Sequence, residues 1–138
     1  MLEISSRAEP GETGLVQMLR RSNTILYTDR WAETVEFYRD ALLLTVAFEN
    51  EWFVEFALGS GAFVSVADAA RSSIAPGRGD GITLSLQVDD VHAVRSELVS
   101  AGVEVGDAGV RWGADALDVH DPAGNRIEFW SEREVDRR

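Results

Sequence analysis

The stretch ALDVHDPAGNRIEFW, residues 116–130, contains a strand, a turn and a second strand. The DPAGN segment, residues 121–125, marks the turn, because proline presets one backbone angle and glycine or asparagine tolerates a positive one. The flanking runs alternate apolar and polar residues, which predicts a β-hairpin. Glu128 stands between Ile127 and Phe129, so the two-residue period of a strand places its carboxylate on the face opposite the core.

The composition predicts one acidic globular domain. The chain has 138 residues, of which 45% are hydrophobic and only 3 are proline. This is enough for one well-packed core. The 24 acidic and 13 basic side chains give a net charge of −11, which argues against nucleic acid or an anionic membrane as a partner. No apolar run approaches the ~20 residues of a membrane span. The absence of cysteine excludes disulfides and thiolate metal sites and is compatible with the cytoplasmic location that we expect.

The order of predicted elements occurs twice along the chain. Hydrophobic periodicity predicts one helix and four strands in the first half, with the helix at 31–42 and the strands at 23–28, 45–48, 53–58 and 62–66. The second half repeats this order, with a strand at 82–88, a helix at 91–101, a short strand at 103–105 and then the hairpin of 116–130. The chain therefore contains two βαβββ modules.

These boundaries predict an α+β fold in a single domain, residues 22–131. Its modules span 22–67 and 82–131 and are joined by a polar loop, 68–81. A flexible extension, 1–21, precedes the domain and a polar tail, 132–138, follows it. A module of about 50 residues cannot bury its sheet alone, so we expect the two modules to pair.

Alternation along the strands assigns side chains to two faces. In the second module one face is apolar and should lie under the helices. The opposite face, which we call the cup face, contains Thr83, Ser85, Gln87, Asp118, His120, Arg126, Glu128 and Trp130. Matching the modules adds Phe53, Glu55, Ala57, Phe63 and Ser65. The register of the first strand stays open: the helix alignment favours Asn23, Ile25 and Tyr27 on the cup face, and a one-residue slip would substitute Ser22, Thr24 and Leu26.

The repeated module and three segments resemble the vicinal oxygen chelate superfamily. The segments are NTILYTDRWAETVEFYRDALLL at 23–44, ITLSLQVDDVHAV at 82–94 and DPAGNRIEFW at 121–130. This superfamily contains glyoxalase I, extradiol dioxygenases, fosfomycin-modifying enzymes and bleomycin-resistance proteins. The resemblance covers 23–130 and implies that the modules form a curled mixed sheet with helices on the convex side and the site on the concave side. It also implies a homodimer, because small members commonly dimerise.

The resemblance also implies four metal-ligand positions, one on the first and one on the last strand of each module. In this chain they hold Asn23, Ser65, Thr83 and Glu128. Only Glu128 suits a divalent iron, zinc, nickel or manganese ion, which needs several imidazole or carboxylate donors. We therefore expect no cofactor and no metal ligands, and a divalent metal is the less favoured alternative. A nonstandard site formed by Asp118, His120 and Glu128 is conceivable, although no spacing motif supports it.

Two side chains are candidates for catalysis. His120 and Glu128 share the predicted face on neighbouring strands, where they could form an acid/base couple. The simpler interpretation of His120 is a histidine that forms a hydrogen bond near a turn. A role for Glu128 as a polar contact to a ligand is favoured over a role as a metal ligand.

Aromatic side chains indicate the type of ligand. Tyr27, Phe53, Phe63, Trp112 and Trp130 are predicted to approach the cup face, and five such rings together favour a pocket for a planar molecule over ordinary core packing. The predicted ligand-binding residues are Asn23, Tyr27, Phe53, Glu55, Phe63, Ser65, Thr83, Ser85, Trp112, His120, Glu128 and Trp130.

The sequence thus favours a protein that binds a planar or amphipathic organic molecule, an antibiotic or a metabolite, in a metal-free concave site. The alternative is a metal-dependent lyase, isomerase or dioxygenase that uses Glu128. A third hypothesis is metal-free acid/base catalysis by His120 and Glu128.

Overall fold

The structure, a computed structural model, describes residues 14–133. It has the predicted α+β fold, with two four-stranded sheets. The first module contains β1 (Ser22–Thr28), α1 (Trp31–Glu36), β2 (Thr45–Glu49), β3 (Phe53–Ala57) and β4 (Ala62–Asp68). The second contains β5 (Thr83–Gln87), α2 (Val91–Ser100), β6 (Gly109–Arg111), β7 (Ala114–His120) and β8 (Arg126–Glu132). Short 3₁₀ turns lie at Leu15–Gln17 and Ala69–Arg71.

The two sheets have the same topology. The strand order is β1-β4-β3-β2 in the first and β5-β8-β7-β6 in the second. In each sheet the first strand is parallel to the last, and the remaining neighbours are antiparallel. Within residues 14–133 no strand pair joins the two sheets.

Burial along the strands agrees with the predicted faces. Ile127 and Phe129 of β8 are buried, and Leu117 and Val119 of β7 lie beside them in the same core. In β1 the buried side chains are Leu26 and Thr28. This is the register that places Asn23, Ile25 and Tyr27 on the cup face.

The first helix does not continue as a regular α-helix to residue 42. Its last turn, Phe37–Ala41, is a π-helix, in which the amide of Leu42 donates to the carbonyl of Phe37. The chain then turns at Leu43, whose φ of 57° lies in the left-handed region. Such a turn at the end of a helix normally has glycine, because a Cβ atom is strained there.

The predicted strand at 103–105 is wrong. These residues have no strand pairing, and β6 begins only at Gly109. The segment contains Gly102, Gly106 and Gly109, which weaken strand formation because glycine loses much conformational entropy and contributes no side-chain packing. The alternation of Val103 and Val105 reflects partial burial against the core in an irregular segment.

The outer boundaries of the domain also differ slightly from expectation. Residues 1–13 and 134–138 lie outside the described residues, so most of the predicted extension and tail is not covered. Arg21, assigned to the extension, contacts the first sheet, and Glu132, assigned to the tail, is the last residue of β8.

A buried hydrogen bond connects the two modules. The hydroxyl of Tyr38, after α1, donates to Oδ2 of Asp121, in the β7–β8 turn, at 2.6 Å. Both residues are buried. Nearby, the backbone at Gly79 packs so closely on Gly124 that a Cβ atom at Gly79 would collide with the Gly124 carbonyl oxygen. These contacts fix the interconnecting loop and the first helix to the hairpin of the second module.

None of the helices within residues 14–133 has the length and apolar character needed to cross a lipid bilayer.

Candidate functional site

Glu128 lies in a charged cluster on the cup face of the second sheet. Its Oε1 accepts a hydrogen bond from the hydroxyl of Ser85, the residue beside it on β5, at 3.2 Å. Its Oε2 lies 2.9 Å from a guanidinium nitrogen of Arg111 and 3.8 Å from one of Arg126. The carboxylate is therefore neutralised by one arginine from β6 and one from its own strand, β8.

Asp118 completes this cluster. Arg111 donates to both carboxylate oxygens of Asp118, at 2.7 and 2.9 Å, and Arg126 donates to Oδ2 at 3.0 Å. Burial alone would raise the pKa of Asp118, but the hydrogen bonds from the two arginines outweigh it and lower the pKa below its usual value. Asp118 and Glu128 balance Arg111 and Arg126, so the four side chains carry no net charge at neutral pH.

The hairpin between β6 and β7 places Arg111 and a tryptophan at the edge of this cluster. Trp112 and Gly113 have φ of 53° and 78°, which is the pattern of a two-residue type I′ turn. A bulky residue with positive φ is uncommon and costs roughly 1–3 kcal/mol. The side chain of Trp112 is 99% exposed, so it gains little from packing in return.

A slot of about 340 Å³ opens between this hairpin and β8. We call it the tryptophan slot; its lining residues are Ser85, Arg111, Trp112, Ala114, Ala116, Glu128 and Trp130. The two alanines leave a shallow floor, the two indoles provide apolar rings, and the ion-paired side chains form a polar edge. Such a combination of flat apolar surface with a few placed polar groups is typical of a site for a small organic molecule.

The predicted residues of the first module form a separate cluster. The hydroxyl of Ser65 donates to Oδ1 of Asn23 at 2.8 Å, and Nδ2 of Asn23 donates to Oε2 of Glu55 at 3.2 Å. The same oxygen lies 2.6 Å from a guanidinium nitrogen of Arg21. The guanidinium carbon of Arg21 also lies 3.8 Å from the centre of the Phe63 ring, in cation–π geometry.

The structure brings together only some of the predicted ligand-binding residues. Ser85, Glu128, Trp112 and Trp130 line the tryptophan slot. Thr83 lies beside it and accepts a hydrogen bond from Arg126. The remaining predicted side chains of the first module do not line the slot: Asn23, Tyr27, Phe53, Glu55, Phe63 and Ser65.

His120 lies apart from Glu128. No hydrogen bond joins the two side chains within residues 14–133, and the partners of Glu128 are Ser85, Arg111 and Arg126. His120 is exposed and lines a different cleft, near the end of β7.

The donor set does not fit a divalent metal. In the described part of the chain, no group of three or more histidine, cysteine, aspartate or glutamate side chains could hold a metal ion. Of the four expected positions, Asn23 and Ser65 are bonded to each other, Thr83 is bonded to Arg126, and Glu128 is bonded to Arg111. A guanidinium therefore lies within hydrogen-bonding distance of the only carboxylate among the four.

Two arginines of these clusters were not predicted. The sequence pattern does not reveal Arg111, because it predicts the short strand at 103–105 and because Trp112-Gly113 is not one of the residue pairs that typically signal a two-residue turn. Arg21 was missed because it precedes the first regular strand. It lies in the segment assigned to the flexible extension, 1–21.

Known proteins share this sequence pattern and fold. The family model of the Glyoxalase/Bleomycin resistance protein/Dioxygenase superfamily matches residues 20–129. No curated protein sequence matches the chain. The structure of lactoylglutathione lyase from Agrobacterium tumefaciens is similar at a TM-score of 0.64 and 24% identity, over 79% of this chain and 90% of that chain.

Two further solved structures have a similar fold. The antibiotic binding protein TnmS3 from Streptomyces sp. CB03234 matches with a TM-score of 0.68 and 18% identity, over 82% of this chain and 95% of that chain. The glyoxalase / bleomycin resistance protein from Catenulispora Acidiphila DSM 44928 matches with a TM-score of 0.67 and 20% identity, over 82% and 98%. The family match over most of the chain, together with the paired βαβββ modules, shows that this chain belongs to the Glyoxalase/Bleomycin resistance protein/Dioxygenase superfamily.

Proposed function

We propose that this protein binds a planar or amphipathic organic molecule, an antibiotic or a metabolite, in the tryptophan slot without a metal. The observation that carries this proposal is the pairing of Glu128 with Arg111 beside two indole rings. A flat ring system can stack on Trp112 or Trp130. Its polar substituents can accept from Arg111 and donate to Glu128 or Ser85, which fixes the orientation of the ring.

The charge balance of the cluster favours an uncharged or zwitterionic ligand. Asp118 and Glu128 neutralise Arg111 and Arg126. A strongly charged ligand would have to break one of these ion pairs and leave a partly buried charge without a partner, which is costly. A quinone, an amide or a phenol offers donors and acceptors without this cost.

The similarity to solved structures supports two different activities. TnmS3 is an antibiotic binding protein, which agrees with the proposal. Lactoylglutathione lyase agrees with the alternative, a metal-dependent lyase, isomerase or dioxygenase. We favour binding because the four expected ligand positions of this chain have only one carboxylate, and that carboxylate is ion-paired.

A second copy of the chain would complete the site. The slot is lined by the second module alone, and Thr83, Ser85 and Gln87 of β5 are exposed beside it. We propose a cytoplasmic homodimer in which the partner covers this open side. Light scattering should return twice the 15.2 kDa chain mass; a monomer mass at concentrations where ligand binds would refute the dimer.

Calorimetric titration with quinone, amide and phenol compounds of two or three fused rings tests the binding proposal. The Trp112→Ala variant should weaken the binding of a ligand found in this way by about tenfold, equal to about 1.4 kcal/mol, because one stacking surface is lost. Trp52→Phe, which alters an indole packed on Phe53 outside the slot, is the matched control and should bind as tightly as the original chain. Absence of binding across these classes, or equal loss in both variants, would contradict the proposal.

Elemental analysis distinguishes the metal-dependent alternative. We expect protein purified without chelator to contain far less than one equivalent of nickel, zinc, iron or manganese. A stoichiometric metal that is lost in the Glu128→Gln variant would support the alternative instead.

A further inference from the structure

The outer edge of β7 is open over its last residues. β6 pairs with β7 only from Ala114 to Ala116, whereas β2 pairs with four of the five residues of β3, Val54 to Ala57, in the first module. The irregular segment of residues 101–108 passes near the remainder of β7 without pairing to it. The second sheet therefore ends in a partly unpaired strand.

The hydrogen-bond pattern of the hairpin identifies which backbone groups are unpaired. The amide of Asp121 donates to the carbonyl of Asn125, so these two residues form a hydrogen-bonded pair. In an antiparallel ladder hydrogen-bonded and non-hydrogen-bonded pairs alternate, so the next pair along β7 is not hydrogen-bonded. Asp118 and His120 occupy the alternate positions. Their N–H and C=O groups point away from β8, and no backbone partner accepts or donates to them on that side within residues 14–133.

This edge opens into a cleft of about 730 Å³, which we call the β7 edge cleft. One wall is formed by residues 33–41 at the first helix, the other by residues 101–106, and the base by residues 118–122. Phe37, Val103 and Val105 contribute apolar surface between the walls. The volume lies within the range of ligand-binding clefts, roughly 300–1,000 Å³.

The two walls carry exposed negative charge. Glu36 lies on the helix wall and Glu104 on the opposite wall, and both are exposed. Neither forms an ion pair within 4 Å in the described part of the chain, although Glu36 is close enough to Arg39 to contribute to its raised pKa. Glu33 and Asp40 on the helix wall are paired with Arg30 and Arg39. A ligand that lies along the cleft would pass between two carboxylates.

We propose that the β7 edge cleft binds an extended basic peptide segment of a partner protein, which adds a strand to β7. Backbone groups of the peptide pair with Asp118 and His120, as in other cases of strand addition. Basic side chains on the two faces of the added strand reach Glu36 and Glu104, and its apolar side chains contact the apolar surface between the walls. The β7 edge cleft is distinct from the tryptophan slot. β7 lines the slot with the side chains of Ala114 and Ala116, whereas the cleft uses its backbone edge.

An acetylated, amidated peptide in which pairs of arginines alternate with pairs of valines presents arginine on both faces of a strand. Its titration into ¹⁵N-labelled protein tests the proposal. We expect saturable shifts of the Asp118 and His120 amide signals at peptide concentrations below about 1 mM. The same peptide with N-methyl groups on the amides that face β7 should bind at least tenfold more weakly, because strand pairing needs those donors. The double variant Glu36→Gln/Glu104→Gln should weaken binding at least fivefold, and high salt should remove most of this difference.

Two controls separate peptide docking from other causes. Glu51→Gln removes an exposed carboxylate outside the cleft, and Trp112→Ala alters the tryptophan slot; both should leave peptide affinity unchanged. The proposal would be overturned by an absence of shifts at Asp118 and His120, or by equal affinity of the N-methylated peptide. Equally tight binding of spermine would also overturn it, because it would indicate simple attraction of polycations.

Discussion

The carboxylate of Glu128 has an arginine partner where the family resemblance suggested a cation. Arg111 lies 2.9 Å from it and holds Asp118 at the same time. The hydrogen bond to Asp118, with a smaller contribution from Glu128, raises the pKa of Arg111 above its usual value. The guanidinium therefore stays charged at neutral pH, and it satisfies the carboxylates without a bound ion.

The hydrogen bond between Tyr38 and Asp121 should contribute measurably to stability. Burial, with the neighbouring Asp121 carboxylate, raises the pKa of Tyr38 far above its usual value, so the hydroxyl keeps its proton. Tyr38→Phe removes one donor from a buried carboxylate, and we expect the free energy of unfolding to fall by about 1–3 kcal/mol. Urea denaturation measures this loss. Tyr27→Phe, at a half-buried tyrosine of the cup face, is the control and should change stability by less than about 0.5 kcal/mol; equal effects of the two variants would contradict the assigned role of Tyr38.

Asp118 should make a pH-dependent contribution to stability. Its pKa is lowered in the folded chain, so its stabilising effect is fully present above the usual carboxyl pKa and is lost as the pH falls through the lower folded value. Because the group is partly exposed, we expect Asp118→Asn to cost only roughly 0.5–1 kcal/mol at pH 7. The gap between the variant and the original chain should shrink when the pH is lowered from 7 to below the usual carboxyl pKa of about 3.9, whereas Asp80→Asn, at an exposed position, should show no gap at either pH. An equal gap for Asp118→Asn at both pH values would show that its carboxylate charge is not the cause.

At the scale of elements, the end of the first helix stores strain. Leu43 has a φ of 57° and is 73% exposed. Leu43→Gly should stabilise the protein by about 0.5–1 kcal/mol. The left-handed conformation costs leucine about 1–2 kcal/mol and glycine little, so the substitution removes this strain. Part of the gain is lost because glycine gives the unfolded chain more conformational entropy. Leu43→Ala keeps the Cβ atom and should give no such gain. Thermal denaturation compares the two, and a lower melting temperature for the glycine variant would contradict the explanation.

The elements with clear periodicity were predictable from the sequence, and the short strand was not. Alternation in residues 116–130 follows from one buried face, and the structure confirms it at Leu117, Val119, Ile127 and Phe129. β6 has only three residues, too few to show a period. Its pairing with β7 depends on the turn at residues 112–113 and on tertiary contacts.

The same limit applied to the candidate site. Glu128, Ser85, Trp112 and Trp130 could be assigned because strand alternation or aromatic character pointed to them. Arg111 could not, because its position follows from the β6–β7 pairing. The separation of the two polar clusters also depends on how the sheets are placed, which single-strand patterns do not encode.

At the scale of the whole molecule, a buried side-chain hydrogen bond joins the two modules, and close backbone contact holds the interconnecting loop to the second module. Gly79 and Gly124 both have positive φ, and each would collide with the other's segment if it carried a Cβ atom. Gly79→Ala should therefore destabilise the chain by about 2 kcal/mol or more, through strain and the displaced hairpin. Gly77→Ala, two residues earlier and with open space around it, should have little effect. Urea denaturation of both variants checks this, and similar stability for the two would contradict the close packing of the loop on the β7–β8 turn.

The central claim is that the tryptophan slot binds a planar organic molecule and not a metal. The most direct test is a ¹H–¹⁵N spectrum of the four indole N–H groups, from Trp31, Trp52, Trp112 and Trp130, during titration with such a ligand and separately with Mn²⁺. We predict that the ligand shifts the Trp112 and Trp130 signals. The signals of Trp52 and of Trp31, whose indole donates to the Val66 carbonyl, should stay unchanged. Stoichiometric Mn²⁺ should broaden none of the four signals. Unchanged Trp112 and Trp130 signals with every ligand, or selective broadening of Trp130 by one equivalent of Mn²⁺, would contradict the account.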